Sequence, residues 1–186
     1  NINFSLIPAF KSLSNKGIES IKEGLEVYKY KIGEPILKNS FIPNKCQIIV
    51  SGEVRLLHRS KLGIQTISKL NTNSFLGLAS LLTARGCETI NASTEVITIA
   101  LSDTLILKLY EEELDFRNWC NSTLQEAELI ELANYFLLKN AQSKLDIKQV
   151  FNLISQKSIV TTAENESIYK KKKGYVSIIS GQNIIE

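Results

Sequence analysis

From Cys46 to Leu101 the chain keeps returning to short apolar, β-branched runs, each cut off by Gly, Asn or Ser before it reaches helix length. Strands so short and so closely spaced bury their apolar sides by pairing into sheets that face one another. Residues 46–50 (CQIIV) end at the turn pair Ser51-Gly52 and residues 54–58 resume at once, which reads as a hairpin. Ile64, Thr66 and Ser68 alternate with Gln65, Ile67 and Lys69. Residues 90–101 are long for one strand, so two strands with a bend near Thr94-Glu95 are expected. Leu105, Leu107 and Leu109, alternating with Ile106 and Lys108, predict a further half-buried strand. The pattern points to a small antiparallel barrel or sandwich as the core.

Two regions follow the helical period instead. Ile18, Ile21 and Leu25 recur at i, i+3 and i+7, with Ser14 or Asn15 able to cap the first turn through a side-chain oxygen. Gly24 and Gly33-Glu34-Pro35 then break the pattern. After Tyr110, Leu129, Leu132, Ala133, Phe136 and Leu137 form one broad apolar face, and Ile147, Val150, Phe151 and Ile154 form another. Each stripe has to be buried against the β core, the other helix or a partner chain. Glu111, Glu112, Glu113 and Asp115 read as a helix start, where the dipole favours carboxylates over any metal-binding role. Residues 155–167 are polar and read as loop, 170–173 are a four-lysine run, and 175–179 read as strand. Ile48-Ile49-Val50-Ser51-Gly52 is echoed by Ser177-Ile178-Ile179-Ser180-Gly181. The echo is either a chance recurrence of a common strand–turn unit or the start of a second, truncated β module.

Composition narrows function by exclusion. The 186 residues are 44% hydrophobic and 22% charged, ordinary for one domain plus an extension. A net charge of +3 without a concentrated basic face gives no case for nucleic acid. The longest apolar stretch, 76–82, is interrupted by Gly77 and Ser80 and falls far short of the ~20 residues a membrane-spanning helix needs. Cys46, Cys87 and Cys120 are widely spaced and accompanied by one histidine, His58, which points to reduced thiols in a cytoplasmic protein rather than a disulfide framework or zinc site. The chain begins at Asn1 and contains no Met, and is expected to be a piece of a longer polypeptide. His58, expected at an exposed strand end beside Arg59, leaves no Ser/His/Asp or Cys/His set, and no Walker-type loop occurs. No catalytic residue, metal site or cofactor is expected.

The informative segment is Asn73-Ser74-Phe75-Leu76-Gly77-Leu78-Ala79-Ser80-Leu81-Leu82. A Gly followed by small residues, opening a short helix inside a β barrel, lets a phosphate meet unpaired N–H groups. With the elements before it, this segment resembles the cyclic nucleotide-binding domains. The resemblance covers residues 10–117: a leading helix, then Tyr30-Lys31-Ile32-Gly33-Glu34-Pro35-Ile36, then Ile49-Val50-Ser51-Gly52-Glu53-Val54, then Thr66-Ile67-Ser68-Lys69-Leu70. Phe75-Leu76-Gly77 follows where that family keeps its phosphate-binding cassette. The resemblance implies a mainly β fold with helices, an antiparallel β-roll of jelly-roll kind followed by a helical extension. It also implies a ligand pocket at Phe75, Gly77, Leu78, Ala79, Ser80, Arg85, Gly86 and Thr89.

The cassette departs from the family where the ligand is held. Members that bind cyclic nucleotides carry an acid after the cassette Gly, accepting from the ribose 2′-hydroxyl; that position is Leu78 here. They also carry an Arg before the next strand, paired with the cyclic phosphate; the register puts Gly86 there, with Arg85 one place away. An unpaired buried polar group costs ~1–3 kcal/mol, and an unanswered buried charge costs more. Together the two losses are expected to weaken binding by about a thousandfold, at about 1.4 kcal/mol per factor of ten.

Phe116-Arg117-Asn118-Trp119-Cys120 and the helices after it resemble the linker of certain cyanobacterial bacteriocin- or toxin-type ABC exporters, in which a β-rich module follows. Trp119 has an equally ordinary explanation as an apolar cover for a domain edge. The expected organisation is a β-roll over 1–118, a helical linker over 119–158 and the start of a second β module over 159–186. The function implied is a non-catalytic cytoplasmic regulatory or docking domain that has lost cAMP and cGMP binding. Its partners would be other domains of the parent chain or a separate protein, with an unidentified small ligand and a homodimer left open, and with no membrane contact. The rival is a catabolite-activator-type transcription regulator with an atypical effector pocket, in which residues 164–173 would be the recognition helix.

Overall fold

The computed structural model describes residues 3–60, 63–140, 142–158, 177–179 and 183–185. Two 3-10 turns, Phe4–Leu6 and Pro8–Phe10, lead into α1 (Asn15–Gly24). Ser14 caps α1, its hydroxyl oxygen accepting from the Gly17 N–H while the Ser14 N–H and hydroxyl both donate to the Glu113 carboxylate. The strands β1 (Glu26–Tyr30), β2 (Pro35–Leu37), β3 (Lys45–Ser51), β4 (Val54–Ser60), β5 (Gly63–Leu70) and β6 (Phe75–Leu76) follow. The short helix α2 (Leu78–Leu82) precedes β7 (Ile90–Ala92) and β8 (Val96–Ser102). Then come α3 (Asp103–Glu112), α4 (Leu114–Ser122), α5 (Glu126–Lys139) and α6 (Ile147–Lys157). A separate antiparallel pair, β9 (Ser177–Ile179) and β10 (Asn183–Ile185), closes the described chain.

Two antiparallel four-stranded sheets make the roll, in the orders β1-β8-β3-β6 and β2-β7-β4-β5. The bend expected near Thr94-Glu95 separates β7 from β8 and carries the chain from one sheet to the other. The turn at Ser51-Gly52 does the same, which corrects the expected hairpin of 46–50 with 54–58. Strand β3 is buried on both faces and sits in the sheet interior between β8 and β6, while β4 pairs with β5 and β7. Gly52, at φ +94°, makes this corner tight: a Cβ there would lie 2.2 Å from the Glu95 carbonyl oxygen.

The alternation of β3 and β8 divides the core in two. Cys46, Ile48, Ile99 and Leu101 face the helices and pack with Phe10, Ile21, Ile106 and Phe116. On the inner side Ile49 and Val96 meet Val54, Leu56, Ile67, Ile90 and Ala92 of the second sheet. Leu129, Ile130 and Ala133 of α5 and Ile147, Val150 and Phe151 of α6 join that inner cluster. The open side of the roll is thus covered by the α5–α6 hairpin. Ile130, outside the face expected from periodicity, is buried there, whereas Leu132 is only half-buried.

Residues 105–109, expected as a strand, lie in α3. Leucines alternating with an Ile and a Lys satisfy either period, and the cap decides: the Ser102 hydroxyl accepts from the Leu105 N–H, Asp103 sits in the first turn, and Ile106 and Leu109 are buried three apart. Glu111 and Glu112 therefore end α3 rather than open a helix, and Asp115 alone sits in the first turn of α4. Residues 155–157, expected as loop, complete α6. His58 is half-buried within β4 opposite Gln65 rather than at an exposed strand end, and burial lowers its pKa. Of the segments 159–176 and 180–182, the lysine run, the candidate recognition helix and the Ser-Gly half of the echo lie outside the described residues.

Phe10 is fully buried against Phe4, Phe75 and Phe116, at centroid distances of 6.3, 5.6 and 6.1 Å. Phe10→Ala is expected to lower unfolding stability by ~3–5 kcal/mol, read from the urea midpoint at unchanged m-value.

Candidate functional site

The cassette is built by a change of backbone hand. After β6, Gly77 sits at φ +87° as the N-cap of α2, and Leu78, Ala79 and Ser80 follow, all buried. A side chain at Gly77 would strain that φ and bring a Cβ to 2.9 Å from Pro43. Turning here leaves the Gly77 and Ser80 N–H groups without carbonyl partners inside the helix.

One side chain meets both. The Glu88 carboxylate accepts from the Gly77 N–H at 2.8 Å through Oε1, and from the Ser80 N–H at 3.1 Å and Ser80 hydroxyl at 2.7 Å through Oε2. The Ser80 hydroxyl oxygen in turn accepts from the Cys87 N–H at 3.1 Å. Glu88 is 5% exposed and has no ion-pair partner among the described residues. Burial pushes the Glu88 carboxyl above the usual carboxylate range, against the opposing pull of the three bonds. The Cys87 thiol beside it is pushed up to about 11, chiefly by burial. Cys46, Cys87 and Cys120 are all free thiols; burial raises Cys46 as well, and takes Cys120 to about 12.

The loop from Thr83 to Thr89 closes over this network. The Thr83 hydroxyl donates to the Ala79 carbonyl at 2.7 Å, Ala84 takes φ +52°, and the Arg85 N–H returns to the Ser80 carbonyl at 3.0 Å. The Arg85 guanidinium pairs with Glu131 on α5. Gly86 is wedged against backbone: a Cβ there would lie 2.6 Å from the carbonyl oxygens of Asn39 and Phe41. The Thr89 hydroxyl accepts a long bond from the Asn39 N–H, at 3.4 Å.

Inside the roll, Gln47 Oε1 accepts from the Tyr30 hydroxyl at 2.9 Å and the Thr98 hydroxyl at 2.6 Å. Among the described residues there is no cluster of metal-ligating side chains, and no helix long and apolar enough to cross a membrane.

The fold is similar to those of several solved structures. A regulatory subunit of a cAMP-independent protein kinase A from Trypanosoma brucei matches at 17% identity and TM-score 0.50, over 62% of this chain and 47% of its own. The catabolite activator protein of Thermus thermophilus matches at 19% identity and TM-score 0.52, over 80% of this chain and 63% of its own. A cyclic nucleotide-binding-like protein from Brucella abortus matches at 21% identity and TM-score 0.50, over 58% of this chain and 94% of its own. The fold is that of the cyclic nucleotide-binding jelly roll. The chain spans about half the length of the trypanosomal kinase subunits it matches. No family model matches the sequence, and no curated protein matches it.

Set on that fold, the residues expected to line the pocket divide. Gly77 and Ser80 form the cradle, with Ala79 buried beside them; Phe75 and Leu78 turn instead into the helix-side core, Phe75 against Phe10 and Trp119. Trp119 also stacks near Phe116, 6.3 Å between centroids, and covers that edge of the core. Arg85 and Gly86 hold the loop, and Thr89 faces Asn39 rather than the cradle. The residue that dominates the site, Glu88, escaped the sequence reading: a single acid between a Cys and a β-branched run carries no period. Its one visible signal was an acid three residues past Arg85, close after a cassette lacking its own. Gly86→Arg, which puts back the family's cation at that register, is expected to lower stability by roughly 2–4 kcal/mol through the backbone clash. Calorimetry on that variant is expected to show no gain of cyclic nucleotide binding.

Proposed function

We propose that this chain is a non-catalytic regulatory or docking domain whose cassette no longer takes cyclic nucleotide. The observation that carries this reading is the Glu88 carboxylate on the Gly77 and Ser80 N–H groups. An incoming phosphate would have to displace a bonded carboxylate or sit beside it, and like charges at a shared buried site oppose one another. Leu78 offers no acceptor for a ribose, and Gly86 has no room for a cation. A structure of this fold, from Trypanosoma brucei, is a regulatory subunit of a cAMP-independent protein kinase A, and a triple mutant of it is bound to cAMP.

Signalling would then run through the α5–α6 hairpin, which covers the inner face of the roll and touches the cassette loop through Arg85 and Glu131. A ligand or partner can move that hairpin only by its differential affinity for the docked and undocked arrangements. The roll over 1–118, the linker over 119–158 and a β module beginning in 159–186 would be parts of a longer cytoplasmic chain. The exporter-like tail at Phe116-Arg117-Asn118-Trp119-Cys120 makes an ABC-type exporter the parent of choice.

Isothermal titration with cAMP, cGMP and guanosine tests the reading. Guanosine is included because a Trypanosoma cruzi subunit of this fold is bound to guanosine, and a neutral nucleoside brings no phosphate against Glu88. No heat is expected from either cyclic nucleotide at micromolar concentration; a micromolar dissociation constant for one of them would refute the proposal. A second reading, the catabolite-activator-type regulator, draws on the match over 80% of this chain, which runs past the roll. Specific, salt-sensitive duplex binding in a low-salt gel shift would favour it.

A further inference from the structure

Carboxylates crowd the root of α5. Glu88 lies on the cassette side, Glu128 and Glu131 come from α5, and Cys87 lies half-buried among them. Arg85 pairs with Glu131. In the first turn of α5, Glu126 meets the Ser68 hydroxyl of β5 with part of its carboxylate, while its Oε2 is buried with no hydrogen-bond partner. A lone buried carboxylate oxygen is costly when charged, and nothing in the local fold requires it except the docking of α5 on the roll. That docking is apolar, through Ala127, Leu129, Ile130 and Ala133. The hairpin hangs from an extended joint, with Thr123 at φ −102°, ψ 118° and Gln125 at φ −84°, ψ 136° between α4 and α5.

We propose that the α5–α6 hairpin is a proton-linked lid on the cassette: docking takes up protons at Glu126 and Glu128, and ionisation of these carboxyls loosens the hairpin. This deepens the regulatory reading given above and rests on it for the role of the hairpin. Undocked, both side chains stand in water and ionise in the ordinary range. Docked, Glu126 is pushed up by burial, with the Ser68 hydroxyl opposing in part. Glu128 is pushed up by burial first and then by Glu131 and Glu88, with the Gln125 N–H opposing. Arg85 is engaged by Glu131. Glu88 keeps its three donors, which favour its charged form and maintain the repulsion toward α5, while burial works the other way. The sign follows from the raised direction. A carboxyl pushed up on docking weakens docking above its docked pKa, and the loss is recovered as pH falls through that pKa toward the ordinary carboxylate range.

Hydrogen exchange with mass spectrometry on the whole chain, corrected for intrinsic rates, reads this directly. At about pH 7.5, segments 126–139 and 147–157 should exchange faster relative to β3 and β8 than at about pH 4.5, where both carboxyls take up protons even undocked, since a carboxyl raised on docking opposes docking once it ionises. The double variant Glu126→Gln, Glu128→Gln mimics the protonated lid and keeps the capping box, because Gln serves at that helix position. Its hairpin should stay slow at both pH values. Should the double variant not fold, Glu128→Gln alone must show a clearly reduced pH dependence. An exchange ratio independent of pH, or one unchanged by these substitutions, overturns the lid. Cyclic nucleotide binding by the wild-type chain would sink the reading of the cassette and leave this result standing, so the two failures are distinguishable.

Discussion

A carboxylate taken out of water has to be met by donors, and at Glu88 the donors are the backbone N–H groups of Gly77 and Ser80 and the Ser80 hydroxyl. The neighbouring features of the cassette belong to that arrangement. The left-handed Gly77 aims its N–H at Oε1, and Ser80 links the carboxylate to the Cys87 backbone. The loop between Ser80 and Glu88 is drawn tight enough that Gly86 rests on the Asn39 and Phe41 carbonyls. A phosphate cradle and a satisfied internal carboxylate use the same physics, since each is an anion held by unpaired N–H groups at a turn. In this chain the group on those N–H groups is the Glu88 carboxylate.

Covering the roll on both sides is the second constraint. Strands β3 and β8 are buried on both faces, so neither sheet face is left to water. The aromatic set Phe10, Phe75, Phe116 and Trp119 and helices α1, α3 and α4 close one side. The α5–α6 hairpin closes the other with the same side chains that form its own seam. Because that hairpin supplies part of the inner core, its position and the shape of the cassette mouth are coupled by packing as well as by the Arg85–Glu131 pair. The polar group of Tyr30, Gln47 and Thr98 is satisfied within the roll, so the inner face is not uniformly apolar even where it is closed.

Most strands were legible because β-branched runs and turn residues are local signals, and Ser14, Gly52 and the bend near Thr94-Glu95 fell where local chemistry put them. Legibility failed where a decision was shared between distant residues. Strand β3 left its sequence neighbour for β8, since a strand buried on both faces needs partners on both edges. Residues 105–109 satisfied two periods, and the Ser102 cap resolved them in favour of a helix. Arg85, placed by sequence beside a missing phosphate partner, was drawn to an acid 46 residues away on α5.

The sequence by itself determined that the chain folds as a β-roll with a helical extension, and that Leu78 follows the turn glycine Gly77, because period and residue type at fixed positions are local properties. Only the tertiary structure decided which group meets the Gly77 and Ser80 N–H groups. Bringing the Glu88 carboxylate onto the turn at Gly77 depends on the loop between α2 and β7 folding back over the cradle, and no periodicity in the chain encodes that approach.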